Sequence, residues 1–320
     1  MKRGSVRTVP VLLLAVGVFA SLSLTSCATA PFSEGCEAAV TAGPASKLVT
    51  VAGDFGSAPT VTFPTPIVAN SIQRSDVITG TGPRVSTGDL VLLQFTLLSG
   101  DTAEGSAYSQ APGPIALTDK TAPALTKGLE CVSVGSRVVI VSSADALGLD
   151  PASFPESVIL VADVMDAYPS KAYGVPQIPQ PGMPAVVTAP DGTPGITIPR
   201  QDPPTTLTIN VLQEANGVKV KTGDHVVVKY TALLWSSRDV FYSTWLDGNT
   251  HLIPMTQPEG PPASSNLPTQ GLIEGLVGQS VGSQILIVVP PGQGFGTDAI
   301  TGVPSNSTLV YVVDILGVVG

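Results

Sequence analysis

The sequence predicts an α+β fold present as two tandem domains, and three observations carry that prediction. Val, Thr, Ala, Gly and Pro are plentiful while charged residues make up 12% of the 320, a composition suited to strands and turns rather than to helices or disorder. Segments such as "HVVVKYTALLW" and "SQILIVVP" are β-branched and alternate imperfectly, which marks strands buried on at least one face. Most of these segments occur twice, in the same order.

The chain begins with export signals. Lys2, Arg3 and Arg7 form a positive n-region, Val9 to Leu24 is largely apolar, and "LTSC" places small residues directly before Cys27. This reads as a lipoprotein signal peptide over residues 1–26, with Cys27 lipidated and holding the chain to the membrane. An ordinary signal peptide, or a signal anchor with an incidental cysteine, is the alternative. The expected location is the cell envelope, on the outer face of the cytoplasmic membrane. Removal of the signal leaves 12 bases against 24 acids and takes the formal net charge from −9 to −12. Few clustered bases argue against nucleic acid as a partner, because phosphate neutralisation needs basic patches.

In an oxidising compartment, Cys36 and Cys131 are expected to form a disulfide. It would staple an N-terminal tether, residues 27–44, to the first domain. Two buried thiols or a metal site are the alternatives, although His225 and His251 stand at no ligand spacing from the cysteines. No cofactor or metal is expected.

The repeat sets the domains. "PTVTFPTP" (59–66) matches "PGITIPRQ" (194–201), and "GPRVSTGDLVLLQFT" (82–96) matches "GVKVKTGDHVVVKYT" (217–231), both at a shift of 135. Gly128-Leu129 matches Gly275-Leu276 at a shift of 147, and "VILVADVM" (158–165) matches "LVYVVDIL" (309–316) at 151. The order is kept and the shift only grows, as in a tandem duplication whose second copy gained residues before its "GL" element. The domains are placed at 45–167 and 194–320. Between them residues 168–193 are proline-rich and read as a semi-rigid linker, with a turn signal at "PDGTP". Leu272 and Leu276 fall at i and i+4, one face of a short helix. Residues 247–270, rich in Pro, read as an exposed loop.

The second copy, through "GDHVVVKYTALLW", "VFYSTW", "EGLVGQSVGSQILIVVPPGQGFG" and "VPSNSTLVYVVDIL", resembles an FKBP-type peptidyl-prolyl cis-trans isomerase over roughly 211–317. The first copy resembles the same family more weakly over 61–167, and the layout is similar to that of tandem FKBP-type lipoproteins of actinobacteria. The resemblance implies a curved antiparallel sheet wrapped around a short helix in each domain. It also implies that "PPGQGFG" is a flap over an apolar pocket. Read alone, those glycines could suggest a nucleotide loop, but no Lys-bearing helix follows them.

An X-Pro bond turns slowly because amide resonance sets a barrier of about 18–20 kcal/mol. Catalysis needs no nucleophile or metal, only an apolar hollow that strips water from the amide and favours its twisted state. The resemblance places Tyr230, Phe241 and Tyr311 as aromatic walls and Val303-Pro304 as the rim. It also shows three departures. Tyr242 stands where the family has an Asp, Leu272 where it has the Trp floor, and Phe295 where it has a flap Tyr. These imply a weakened isomerase acting on Xaa-Pro segments of exported polypeptides, with macrolides of the FK506 type as further ligands. The alternative is a catalytically silent module that binds chains or a partner. A solute-binding lipoprotein would need two α/β lobes, which the β-rich duplication disfavours. In the first copy, Gln94-Phe95 replaces Lys229-Tyr230, Leu160 replaces Tyr311, Leu147 stands where Phe295 does, and "EGSAYSQ" lacks the aromatic stretch. That copy is expected to keep only the fold, for spacing or docking.

Overall fold

The computed structural model describes residue 1 and residues 36–118, 122–247, 250–258, 260, 262–297 and 299–319. Cys27 and the signal peptide beyond its first residue lie outside the described residues.

The first half contains strands β1 (Thr50–Ala52), β2 (Thr60–Thr62), β3 (Gln73–Ile78), β4 (Leu90–Ser99), β5 (Gly113–Ala116), helix α1 (Pro123–Leu129), β6 (Arg137–Ser142) and β7 (Val158–Tyr168). The second contains β8 (Val175–Pro176), β9 (Ala185–Thr188), β10 (Pro194–Thr197), β11 (Thr208–Glu214), β12 (His225–Leu234), β13 (Val240–Ser243), α2 (Thr244–Asp247), β14 (His251–Pro254), α3 (Gln270–Leu276), β15 (Gln284–Val289) and β16 (Leu309–Val319). One sheet runs β3-β6-β7-β4-β5. The other contains β11-β15-β16-β12, with β14 and β13 both pairing with β12 and β8 extending the β11 edge. The pairings within both sheets are antiparallel. Strand for strand, β3, β6, β7, β4 and β5 occupy the places of β11, β15, β16, β12 and β14.

Both sheets are covered on both faces, which explains the imperfect alternation in the sequence: β6 and β15 are buried at every position. In β15, Ile285, Ile287 and Val289 face the helix-side core, while Leu286 and Val288 face the back. Such strands read as continuous apolar runs because neither face needs a polar set. The helices lie directly on the sheets. A Cβ on Gly275 would stand 2.7 Å from the Ile287 side chain, so the glycine that weakens the helical signal, by about 1 kcal/mol, is what lets α3 approach. Thr269 caps α3, its side chain accepting from Leu272 N.

The back faces carry a feature that the expected linker concealed. The antiparallel β9–β10 hairpin brings Val186, Ile196, Met183 and Ile198 onto Leu286, Val288, Val310 and Val312. The β1–β2 hairpin does the same for the first sheet, with Val51 and Val61 on Val139, Val141, Ile159 and Val161. Residues 168–193 are therefore not a free connector, and a boundary at 193/194 cuts a hairpin that belongs to the second half. The apolar side chains of this hairpin bury surface that the sheet would otherwise expose. Tyr173 N and Gly174 N also donate to Gly282 O, and Ala172 N to Asp314. Leu90 and Tyr168 bury against Val227 and Leu316, so the two halves pack together.

Two further expectations have outcomes. Cys36 and Cys131 form a disulfide, their Cα atoms 5.6 Å apart. Residues 247–270 are not simply an exposed loop: β14 pairs with β12, and Met255 is fully buried in the core. Most of the added length falls after β14, where residues 255–269 precede α3 and only 117–122 precede α1.

Candidate active site in the second half

The pocket residues come from four secondary-structure elements and two loops. β12 supplies Tyr230, β13 supplies Phe241 and Tyr242, α3 supplies Leu272, and β16 supplies Tyr311. Phe295 follows a tight turn at Pro291–Gln293, and Val303 closes a loop by donating its N–H to Ile300 O. All seven residues expected from the sequence meet in one apolar cluster: Tyr230, Leu272, Phe295, Val303 and Tyr311 are buried, and Phe241 and Tyr242 pack against them half-buried.

The rings meet at angles rather than in parallel stacks. The Phe241 ring is edge-on to Phe295 (centroids 6.1 Å, 80°) and to Tyr311 (6.3 Å, 87°). Tyr230 lies 5.2 Å from Tyr242 and 6.1 Å from Tyr311. Such tilted contacts set positive ring edges against negative faces and fix the walls.

The polar groups are few and placed at the margin. The Tyr242 hydroxyl and His251 Nε2 are 2.5 Å apart, and the His251 ring stands edge-on to Tyr230 at 5.8 Å. The Tyr230 hydroxyl donates to Asn266 O at 3.4 Å. The long segment before α3 thus reaches the site. Gln293 Nε2 donates to Glu274 Oε2 at 2.6 Å, tying the flap to the helix. The Tyr311 hydroxyl is buried with no hydrogen-bond partner among the described residues. Burial pushes its pKa well above the ordinary tyrosine value, against a smaller opposing effect of the Thr269 side chain, which lies beside it outside good hydrogen-bond geometry, so it stays a protonated donor.

His251, Asn266 and the Gln293–Glu274 pair were not singled out from the sequence. The first two lie in the segment read as loop, where no periodicity fixes a register; the third joins residues 19 positions apart across a fold. The arrangement offers a dry, ring-walled cluster with a hydroxyl donor buried in it. That suits binding and twisting an amide better than proton or electron transfer.

The geometry defines a sheet-and-helix domain with an aromatic apolar site, and comparison with known proteins names its class. The family of FKBP-type peptidyl-prolyl cis-trans isomerases matches residues 216–316, so the second half of the chain carries an FKBP-type peptidyl-prolyl isomerase domain. The chain is 27% identical over 127 residues to a probable FK506-binding protein of Corynebacterium glutamicum, covering 38% of this chain and 96% of that protein. It is 33% identical over 116 residues to the FKBP-type peptidyl-prolyl cis-trans isomerase FkpA of Escherichia coli, covering 36% and 38%. Against FK506-binding protein 4 of Chaetomium thermophilum it is 32% identical and spans 21% of that protein's length. Among solved structures, FkpA from Escherichia coli aligns over 43% of this chain and 52% of that one, with TM-score 0.31 and 27% identity.

Proposed function

We propose that the protein is a lipid-anchored peptidyl-prolyl cis-trans isomerase of the cell envelope, working on Xaa-Pro segments of exported polypeptides through its second half. The observation that carries this reading is the convergence of Tyr230, Phe241, Tyr242, Leu272, Phe295, Val303 and Tyr311 into one cluster, inside the stretch that matches the isomerase family. The proline ring would enter between Tyr230, Phe241 and Tyr311, and the apolar walls would strip water from the preceding amide. Losing that hydration favours the twisted amide, whose carbonyl and nitrogen are less polar than in the planar ground state. Anchoring at Cys27 would place the domain beside polypeptides as they leave the membrane, and FK506-type macrolides would compete for the same walls.

Activity is expected to be weak. Phe295 has no hydroxyl for the bound carbonyl, a loss of about 0.5–1.5 kcal/mol. Leu272 in place of an indole floor removes roughly another 1–2 kcal/mol of ring burial. A silent polypeptide-binding role is the second reading, favoured by how closed the cluster is: Tyr230 is 2% and Tyr311 1% exposed. We also propose that the first half is a second FKBP-like domain, supported by the repeated sequence segments and the shared strand order.

The test is isomerisation of a short Xaa-Pro peptide by the mature chain. Catalysis that falls at least tenfold in Tyr230→Ala, with the fold kept, supports the enzyme. No catalysis in the wild type, with a gain in Tyr242→Asp/Leu272→Trp, would leave the binding role. Silence in all three removes the isomerase, and if an Xaa-Pro peptide also fails to shift the Leu272 and Val303 methyl signals, the binding role falls with it.

A further inference from the structure

The first half has an open cavity where the second half has its aromatic cluster. Its volume is about 180 Å³, and its lining includes Phe95, Leu97, Ile115, Leu125, Leu147 and Leu160. Its position follows from matching hydrogen bonds: Phe95 N donates to Ser109 Oγ as Tyr230 N does to Thr244 Oγ1. That register sets Ser106 and Ala107 opposite Phe241 and Tyr242. Leu147 and Leu160 stand where Phe295 and Tyr311 do. Four rings have become two aliphatic side chains and two small residues, and the two aliphatic ones, Leu147 and Leu160, border the open space. The sequence leads us to expect that the first half keeps only the fold, for spacing or docking; the fold there also encloses a hollow.

We infer that this cavity is a second binding site, which takes the branched aliphatic side chain of a leucine, isoleucine or valine in an unfolded polypeptide. The inference rests on the polypeptide reading proposed above but not on catalysis. Every side chain lining the cavity is apolar, so a buried amide there would lose its hydrogen bonds without replacement. The main chain must therefore stay at the rim while a side chain enters. The volume lies below the range that holds a drug-sized ligand, about 300–1,000 Å³, which favours a single side chain over a macrolide or a long acyl chain. The chain's formal charge of −9 also opposes an anionic amphiphile. Because the two halves pack together through Leu90, Tyr168, Val227 and Leu316, a polypeptide could be held at two points on one body. An aliphatic residue would sit in the first half and a proline in the second.

The test uses the mature chain with methyl-labelled Leu, Ile and Val, followed by NMR during titration with three capped pentapeptides: Ala-Ala-Leu-Ala-Ala, Ala-Ala-Ser-Ala-Ala and Ala-Ala-Pro-Ala-Ala. The Leu peptide should shift the methyls of Ile115, Leu125, Leu147 and Leu160 saturably, and the Ser peptide should bind at least about tenfold more weakly. Leu147→Trp, which fills the cavity, should abolish that response. Ala107→Tyr, a substitution at an exposed position, should weaken it without risk to the core. The inference is overturned if the Leu peptide shifts none of these methyls, or if the Pro peptide shifts them equally well. It is also overturned if both variants stay folded and respond as the wild type does. A Leu-peptide response in the first half, with Leu272 and Val303 silent to the Pro peptide, would support this inference while removing the isomerase reading.

Discussion

The two halves of this molecule bury polar groups at the same place in different ways. In the first, Arg137 and Asp163 on neighbouring strands form an ion pair at 2.6 Å with both side chains 0% exposed. Arg137 also donates to the carbonyls of Gly53, Asp54 and Ser57 in the β1–β2 hairpin, and Asp163 accepts from Gly56 N and the Tyr108 hydroxyl. In the second, Gln284 and Asp314 take those positions, 2.8 Å apart. Thr188 of the β9–β10 hairpin donates to Gln284, and Ala172 N to Asp314. Lys229, the counterpart of Gln94, lies over the Trp245 ring at 4.8 Å. Both solutions fasten a hairpin to the back of a sheet. The position is thus set by the architecture, while the chemistry that fills it is free to change, and the same holds for the pocket on the opposite face.

The largest expected effect breaks that comparison directly. Arg137→Ala leaves Asp163 buried without its cation and three hairpin carbonyls without donors, a loss of about 3–5 kcal/mol. Gln284→Ala removes neutral hydrogen bonds and should cost only about 1 kcal/mol. Urea midpoints of the two variants measure this, and equal losses would show that the ion pair has no special weight. Next in size is the disulfide, which joins residues 95 apart. Cys36→Ser/Cys131→Ser should lose about 2–4 kcal/mol. Both tryptophans, Trp235 and Trp245, lie in the second half. The loss should therefore be larger by far-UV circular dichroism than by tryptophan fluorescence, and identical shifts would mean that the halves unfold as one.

The shared strand order and the apolar cluster were legible for the same reason. Tyr230 and Tyr311 sit on long apolar strands, where burial dictates residue type and leaves a pattern, and Leu272 and Leu276 sit at helical spacing. The back-face hairpin of the second half was not legible. Its strands, "AVVT" and "PGIT", are four residues each and flanked by prolines. What makes them strands is a sheet surface formed by residues far along the chain, although the "PDGTP" turn between them was visible. The Tyr242–His251 contact was hidden too, because nothing local in the Pro-rich segment announces that β14 pairs with β12. The open cavity of the first half is an absence of rings, and loss of rings alone does not say whether the neighbours collapse into the space.

A smaller effect separates the halves by pH. Burial pushes the Asp314 carboxyl up to about 6, against the opposing hydrogen bonds from Ala172 N and Gln284. A carboxyl whose folded-state pKa is raised binds more protons folded than unfolded. Its contribution is therefore most favourable below the unfolded value near 4 and is lost as pH rises to about 6. Asp314→Asn should escape this loss, gaining on the wild type by about 1–3 kcal/mol between pH 4 and pH 7. Thermal melts of both proteins across that range give the difference directly. A constant gap would show that the carboxyl does not titrate there. Asp89, also pushed up to about 6 by burial, is present in both proteins and cancels.

The smallest effect bears most closely on the site. Tyr311 stands where the first half has Leu160, and its hydroxyl is buried with no hydrogen-bond partner among the described residues. Leaving a buried hydroxyl unpaired costs about 1–3 kcal/mol, a cost that Tyr311→Phe removes while keeping the ring. The variant should be as stable as the wild type or up to about 1 kcal/mol more stable, seen as an unchanged or higher melting temperature. If the hydroxyl serves the bound amide carbonyl, the same change lowers kcat/KM by up to about tenfold. A protein that gains stability and loses activity would identify Tyr311 as the donor that replaces the hydroxyl Phe295 lacks. Stability gained with activity unchanged would leave the ring as its whole contribution, and the contrast with Leu160 would then be one of shape alone.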